Sequence, residues 1–374
     1  MNVPKLRFKE FNDEWCYQSL SKYVNRITTK NKNNESDLVL TISAQYGLVD
    51  QTIFFNRSVS SSNLTGYYLL NNGDFAYNKS YSNGYPWGAV KRLNKYNQGV
   101  VSSLYICFKT NNLIDSNFLE QYFETNKWYQ QISEVSVEGA RNHGLLNIAV
   151  NDFFNTKHYI PSIKEQEKIS KFLSLLDKKM ELQTKKIEDL KLFKKGLSNN
   201  IFNNLKNFEE YKLGDLCNIT TGKLDANAMV ENGKYRFYTC AKEYSFIDEY
   251  SFDTEALLIS GNGAYVGYIH YYNGKFNAYQ RTYVLDQFSQ NIQFIKCYLD
   301  ENLSRRIKSE KKEGNTPYIV LSTLSDMIIK VPSKENQKNI SNIINYHQKK
   351  ILLEENKLKK LQELKKGLMQ NMFV

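Results

Sequence analysis

The sequence predicts an α+β fold with a pseudo-two-fold plan, in which two similar α+β domains are separated by two long antiparallel helices forming a coiled coil. Two observations carry that reading. Residues 161–202 (PSIKEQEKISKFLSLLDKKMELQTKKIEDLKLFKKGLSNNIF) align without a gap to residues 332–373 (PSKENQKNISNIINYHQKKILLEENKLKKLQELKKGLMQNMF), at a constant offset of 171 and with 16 of 42 positions identical. The stretches outside the repeat are built of short Tyr- and Val-rich runs broken by Gly and Asn, as strands and turns are. The plan therefore reads as a first domain over 1–160, a first spacer helix over 161–206, a second domain over 207–331 and a second spacer helix over 332–374.

Each repeat copy has no internal proline, one glycine, and apolar residues at alternating steps of four and three. The first copy places Ile169, Leu173, Leu176, Met180, Gln183, Ile187, Leu190, Lys194, Leu197 and Ile201 on the seam. The second places Ile340, Ile344, His347, Ile351, Glu354, Leu358, Leu361, Lys365, Leu368 and Met372 at the same phase. A 3.5-residue period is the mark of a coiled coil. A helix of about 40 residues is roughly 60 Å long, and each buried Leu or Ile stabilises by about 1.5–3 kcal/mol, so mutual packing of the two stripes is favoured. If they pack, connectivity makes them antiparallel; the alternative is that each helix lies on its own domain. His347 has no His, Cys or carboxylate partner at ligand spacing and reads as a seam or partner-contact residue.

The two domains resemble each other faintly. Leu20–Lys30 (LSKYVNRITTK) and Leu213–Lys223 (LGDLCNITTGK) open them alike, and each ends with a predicted helix (Asn117–Ile132, Ile292–Ile307), a Gly-containing turn and a strand leading into the proline of a long helix.

With 50 basic and 39 acidic residues the net charge is +11, which favours a polyanionic partner. The excess sits mainly on the repeat copies, +5 on 161–206 and +5 on 332–374, against +3 on 1–160 and −2 on 207–331, so a nucleic-acid grip in the domains must come from local clusters. The N-terminal residues lack the apolar core of a signal peptide, no apolar run is long enough to span a membrane, and five scattered cysteines without a CxxC pair suit a reducing cytoplasm. No NPP[YF] element and no P-loop is present, and the ExK strings Glu310-Lys311-Lys312 and Glu363-Leu364-Lys365 are expected by chance among so many lysines.

A spacer better matched between its copies than the domains it joins implies one partner bound twice and two different things read by the domains. Bipartite DNA with unlike half-sites meets that requirement. The opening PKLRFKEFNDEW, the LGDLCNITTGK run, the proline-led charged helix closing in KKGLxxNxF and the repetition of the whole plan resemble the specificity subunits of type I restriction-modification systems, over essentially the full chain. The resemblance implies two target recognition domains reading a split, asymmetric site on double-stranded DNA, a subunit with no catalysis of its own, and recruitment of two methylation subunits that methylate adenine at N6, joined by restriction subunits. S-adenosylmethionine, ATP and Mg would bind only those partners, and the chain itself would hold no cofactor and no metal.

Base readout needs Arg, Asn or Gln, and phosphates take Lys, Arg, Ser and Tyr. The candidate DNA contacts are Asn78, Lys79, Tyr81, Lys91, Arg92, Arg141, Asn142 and His143 in the first domain, and Asn262, Tyr265, Arg281, Arg305, Arg306, Lys311, Lys312 and Asn315 in the second. The repeated closing pattern supplies candidate partner contacts at Lys194, Lys195, Asn200 and Phe202, and at Lys365, Lys366, Asn371 and Phe373. Two other classes of reading are a nuclease with two sites on a coiled-coil spacer, and an RNA-binding scaffold.

Overall fold

The computed structural model describes residues 2–55, 63–82, 84–136, 146–310 and 318–374. The chain forms two compact units, one of residues 1–183 with 357–374, the other of residues 184–356. Each unit contains a globular domain and a stretch of both long helices.

In the first unit, strand β1 (Cys16–Ser19) pairs antiparallel with β6 (Lys157–Ile160), so the chain enters and leaves the domain on one ribbon. Between them β2 (Val24–Arg26), β3 (Phe75–Asn78), β4 (Ala89–Arg92) and β5 (Ile106–Thr110) form an antiparallel sheet in the order β2-β5-β3-β4. Side chains alternate across its faces as strand geometry requires. Phe75, Tyr77, Ile106 and Phe108 turn to one core, which helix α1 (Ser116–Phe123) closes with Phe118, Leu119, Tyr122 and Phe123; Ala76 and Cys107 turn to another. Asp115 caps α1 by accepting from the Phe118 amide at 2.7 Å. The helix predicted over 117–132 is in fact two: α1 ends at Phe123, the Thr125 hydroxyl bonds back to the Tyr122 carbonyl, and a new helix runs Tyr129–Val135. The large ring of Trp128 fills the break, fully buried, and its indole N–H donates to the Phe123 carbonyl.

The repeat copies are the helices α2 (Ile163–Asn203) and, after the second domain, a helix over Lys334–Met372. All twenty predicted seam positions are buried or half-buried, as a 3.5-residue seam demands. In the second unit, Lys191 pairs with Glu355 and Lys194 with Gln348, and in the first Asp177 pairs with Lys365, an antiparallel arrangement. His347 is half-buried on the seam against the Phe193 ring.

The second unit repeats the plan on a different sheet. Strand β7 (Phe208–Lys212) pairs with β14 (Ile328–Pro332) as the entry ribbon. Between them β8 (Asn218–Thr221), β9 (Tyr235–Tyr238), β10 (Ser245–Ile247), β11 (Phe252–Ser260), β12 (Ile269–Ala278) and β13 (Thr282–Asp286) make a six-stranded sheet in the order β8-β13-β11-β12-β9-β10, in which only β9 and β12 run parallel. Leu257, Ile259 and Leu285 pack on helix α3 (Ile292–Glu310), and Ala256, Leu258, Val284 and Tyr238 form a separate cluster on the other face. The glycine of the ITTGK run is required here: a Cβ on Gly222 would lie 1.8 Å from the Ala278 carbonyl oxygen. The returning helix, α4 (Lys334–Met372), is the second repeat copy.

The same two joints tie helix to domain in both units. Gln166 and its repeat counterpart Gln337, both buried, each donate to the carbonyl of the helix-leading proline (Pro161, Pro332) at 2.9 Å. Each also accepts from the amide of the residue that caps the domain helix, Asp115 or Asn291. The closing phenylalanines are plugs: Phe373 packs on Phe118 and Tyr122 of α1, and Phe202 on Phe294 and Tyr298 of α3. This corrects the expectation of Phe202 and Phe373 as partner contacts, because apolar rings 7 % and 1 % exposed present no surface to a partner. Among the described residues no helix is long and apolar enough to cross a membrane.

Phe373→Ala is expected to destabilise the protein by about 3–5 kcal/mol through lost burial and a residual cavity, read by urea denaturation. A second expectation concerns His158 on β6, whose ring nitrogens meet the hydroxyls of Tyr122 and Thr156 at 2.8 Å inside the core, and whose pKa burial pushes down to about 3. The unfolded chain binds a proton near pH 6.5 where the folded chain does not, so this side chain's contribution is intact above pH 6.5 and is lost as pH falls towards 3, at about 1.4 kcal/mol per pH unit. His158→Gln should remove that component of the acid slope; an unchanged slope would show that His158 does not control it.

Candidate nucleic-acid interface

In the second domain the sheet brings three predicted residues together. The hairpin after β11 is closed by the Ser260 amide donating to the Tyr268 carbonyl, and Gly261 donates to the Arg281 carbonyl at 2.9 Å. A Cβ on Gly261 would meet that same oxygen at 2.4 Å, so the glycine permits the approach. Asn262, Tyr265 and Arg281 therefore share one end of the sheet. The Arg281 guanidinium is exposed and forms no ion pair among the described residues, and the Tyr265 ring is exposed with the Lys242 ammonium 5.4 Å from its centroid. Exposed cations interleaved with exposed aromatics suit a nucleic-acid surface.

Arg305 and Arg306 lie elsewhere, on α3. Arg305 donates to Asn199 and Glu301, and Arg306 pairs with Glu310 one turn on, so their charges are partly neutralised within the unit. Lys311, Lys312 and Asn315 lie outside the described residues, as do Arg141, Asn142 and His143 of the first domain.

In the first domain the candidates separate. Tyr81 is exposed, while Asn78 accepts from the Ser80 amide and Lys79 donates to the Ile148 carbonyl, both half-buried. Lys91 and Arg92 turn towards α1. Lys91 is buried and pairs with Glu124; Arg92 pairs with Glu120 and donates to Ser116 and Asn94. They are corrected from DNA contacts to internal ion pairs, since the carboxylates of Glu124 and Glu120, at and just beyond the end of α1, engage them within the domain. Burial pushes the Glu120 carboxyl up while Arg92 and Asn94 pull it down.

The closing lysines of the repeat line a cleft in each unit. The first, of 860 Å³, is bounded by Asp177, Met180, Gln362, Lys365, Lys366, Met369 and Gln370 on the helices, by Glu120 and Gln121 on α1 and by Glu124 just beyond it. The second, of 580 Å³, is bounded by Gln348, Ile351, Lys191, Lys194, Lys195, Ser198 and Asn199, and by Cys297, Asp300 and Glu301 on α3. These seven spacer-helix positions in one cleft are the 171-residue counterparts of seven in the other, and the second cleft adds Ile344 and Glu355. Lys365 binds Asp177 and Lys194 binds Gln348 at 2.6 and 2.8 Å, whereas Lys366 and Lys195 are exposed without a salt bridge among the described residues. Asn371 donates to the Gly367 carbonyl and Asn200 accepts from Asn204, so both serve their own helix ends. The helices also expose apolar residues at matched positions: Leu175 and Tyr346, Leu182 and Leu353, Phe193 and Leu364, each more than half exposed.

Sequence reasoning missed Arg236, Lys242 and Tyr244. The signal available was an arginine inside a Tyr-rich strand, YRFY, with no acidic residue beside it.

The internal and free arginines should differ in stability measurements. Arg92→Ala leaves Glu120 part-buried and unpaired and is expected to cost about 1–3 kcal/mol; Arg281→Ala should stay within about 0.5 kcal/mol. Equal costs would overturn the distinction.

Residues 205–363 match the family described as the type I restriction modification DNA specificity domain. The specificity subunit of the type I restriction enzyme EcoDI of Escherichia coli is 40% identical over 130 residues, which is 35% of this chain and 29% of that protein, so the match spans less than a third of the relative's length. A putative type I specificity subunit of Mycoplasma pneumoniae is 27% identical over 197 residues, 49% of this chain and 79% of that protein. The crystal structure of the S subunit of a type I restriction-modification system from M. genitalium superposes with a TM-score of 0.63 over 100% of this chain and 99% of that one, at 19% identity. Residues 205–363 thus resemble the type I restriction modification DNA specificity domain, and the whole chain shares the fold of a solved type I S subunit.

Proposed function

We propose that the chain is the non-catalytic specificity subunit of a type I restriction-modification assembly, acting in the cytoplasm. It reads a bipartite, asymmetric target on double-stranded DNA and directs adenine-N6 methylation and restriction by partner subunits. The observation that carries this reading is the pair of clefts with matched spacer-helix walls, set beside two domains whose sheets differ in strand number and order. Matched walls suit two copies of one methylation subunit, and unlike sheets suit unlike half-sites. Each cleft is lined by five cations and three carboxylates, so an acidic segment is the complementary occupant. Lys366 and Lys195 supply uncommitted charge there, and the matched apolar residues of the helices extend the partner surface. S-adenosylmethionine, ATP and Mg belong to the partners in this reading, and the chain itself holds no cofactor.

The reading is tested by replacing residues 1–160 with the counterpart from a relative. One half of the methylated sequence should change while the other half and the spacer length persist; a hybrid that altered both halves would show that the domains do not read independently. The chain alone should neither methylate nor cleave DNA nor hydrolyse ATP, and methylation should appear on adding the methylation subunit. Lys366→Glu and Lys195→Glu should each reduce the bound methylation subunits from two to one by native mass spectrometry, and retention of two by the double variant would remove the clefts from the interface.

A further inference from the structure

Arg236 is placed unlike every other arginine described. Its strand, β9, is held on both sides, Arg236 lying opposite Phe246 of β10 and Phe276 of β12. Its guanidinium carbon lies over two rings, 4.3 Å from the centroid of Tyr244 and 4.5 Å from that of Tyr272. Its only hydrogen bond among the described residues is from Nη1 to the Tyr238 hydroxyl, long at 3.4 Å, and no described carboxylate pairs with it. Arg7, Arg92, Arg305 and Arg306, by contrast, each meet a carboxylate. A guanidinium has five N–H donors in one plane. Contact with two tyrosine rings and a strand held on both sides restrict the guanidinium before any ligand arrives, and most of its donors are left without a partner among the described residues.

The surroundings are those of a contact surface. Tyr244 and Phe246 are 37% and 42% exposed, and their rings meet edge to face. Tyr244 shares its loop with Lys242, whose ammonium lies over Tyr265, so the arginine adjoins the exposed residues gathered around Asn262 and Arg281. The loop is anchored from below by His270, whose Nε2 lies 2.9 Å from the Ala241 carbonyl oxygen.

We infer that Arg236 is a specificity-determining residue that reads a guanine in the half-site of the second domain, its edge donating to O6 and N7 while Tyr244 and Tyr272 restrain it. The inference rests on the DNA-reading function proposed above and assigns one base to one side chain. Guanine fits better than phosphate because stacking on Tyr244 and Tyr272 restrains the guanidinium while its planar fork of donors stays free of a carboxylate, and O6 and N7 accept such a fork bidentately in the major groove. A point-charge contact to phosphate would not need that restraint. The lysine that keeps charge and stacking but loses the fork is the informative substitution.

The test is selection of randomised duplexes by the full chain, wild type against Arg236→Lys and Arg236→Ala, with thermal melting to confirm folding. Wild type should select a G·C pair at a position that the lysine variant no longer discriminates. At that position discrimination should fall about ten- to a hundredfold, with all other positions retained. Uniform loss of affinity with unchanged base preference would assign Arg236 to phosphate or to the fold and overturn the inference. So would a wild-type half-site without a G·C pair, or an unchanged motif in Arg236→Lys. A wild type that selects no split duplex sequence would overturn the specificity-subunit reading as well, which separates the two failures.

Discussion

The structure depends on one joint made twice: a buried glutamine and a buried phenylalanine that fasten each spacer helix to a domain. Gln166 and Gln337 bond the proline carbonyl ahead of their own helix and the amide at the N-terminus of the domain helix. A buried amide left without a partner costs about 1–3 kcal/mol, so neither end of this link is free to vary. Phe373 and Phe202 fill the space beside the same domain helices. Half of the sixteen identities between the repeat copies fall at the proline, the glutamine and the closing KKGLxxNxF, which include the residues that make these contacts.

With the joints held, the sheets can differ. The first domain uses a four-stranded antiparallel sheet with separate two-stranded ribbons, the second a six-stranded sheet with one parallel pair. What the domains retain in common is an entry ribbon and a helix presented to the joint, α1 or α3. The short helices Val150–Asn155 and Leu321–Ser325, which precede the exit strands, also recur in both. The attachment is alike in the two units while the sheet differs.

Charge is divided in the same way. Cations that face a domain helix are held by its carboxylates, as Lys91 and Arg92 are by Glu124 and Glu120, and there they orient elements rather than attract a polyanion. Cations at the turns and on strand ends of the second sheet, Arg281, Lys242 and Arg236, lack such partners among the described residues and carry an outward field.

The repeat, the coiled-coil phase and the two-domain plan were legible in the sequence because a heptad stripe and a 171-residue offset are local, periodic signals, and all seam positions did turn inward. The lysines of the closing pattern were legible as a repeated pair, and they line the cleft of each unit. The roles of single residues were not legible. Phe202 and Phe373 carried the same repeat signal as Lys195 and Lys366, and only packing against α1 and α3 separated core plugs from exposed cations. Arg92 and Arg236 both lie in strands, yet one pairs with Glu120, 28 residues further along the chain, and the other lies over the rings of Tyr244 and Tyr272. Sequence determines which residues share a periodic face; only the tertiary structure decides what stands opposite that face, because the partner comes from a distant segment whose approach is set by packing.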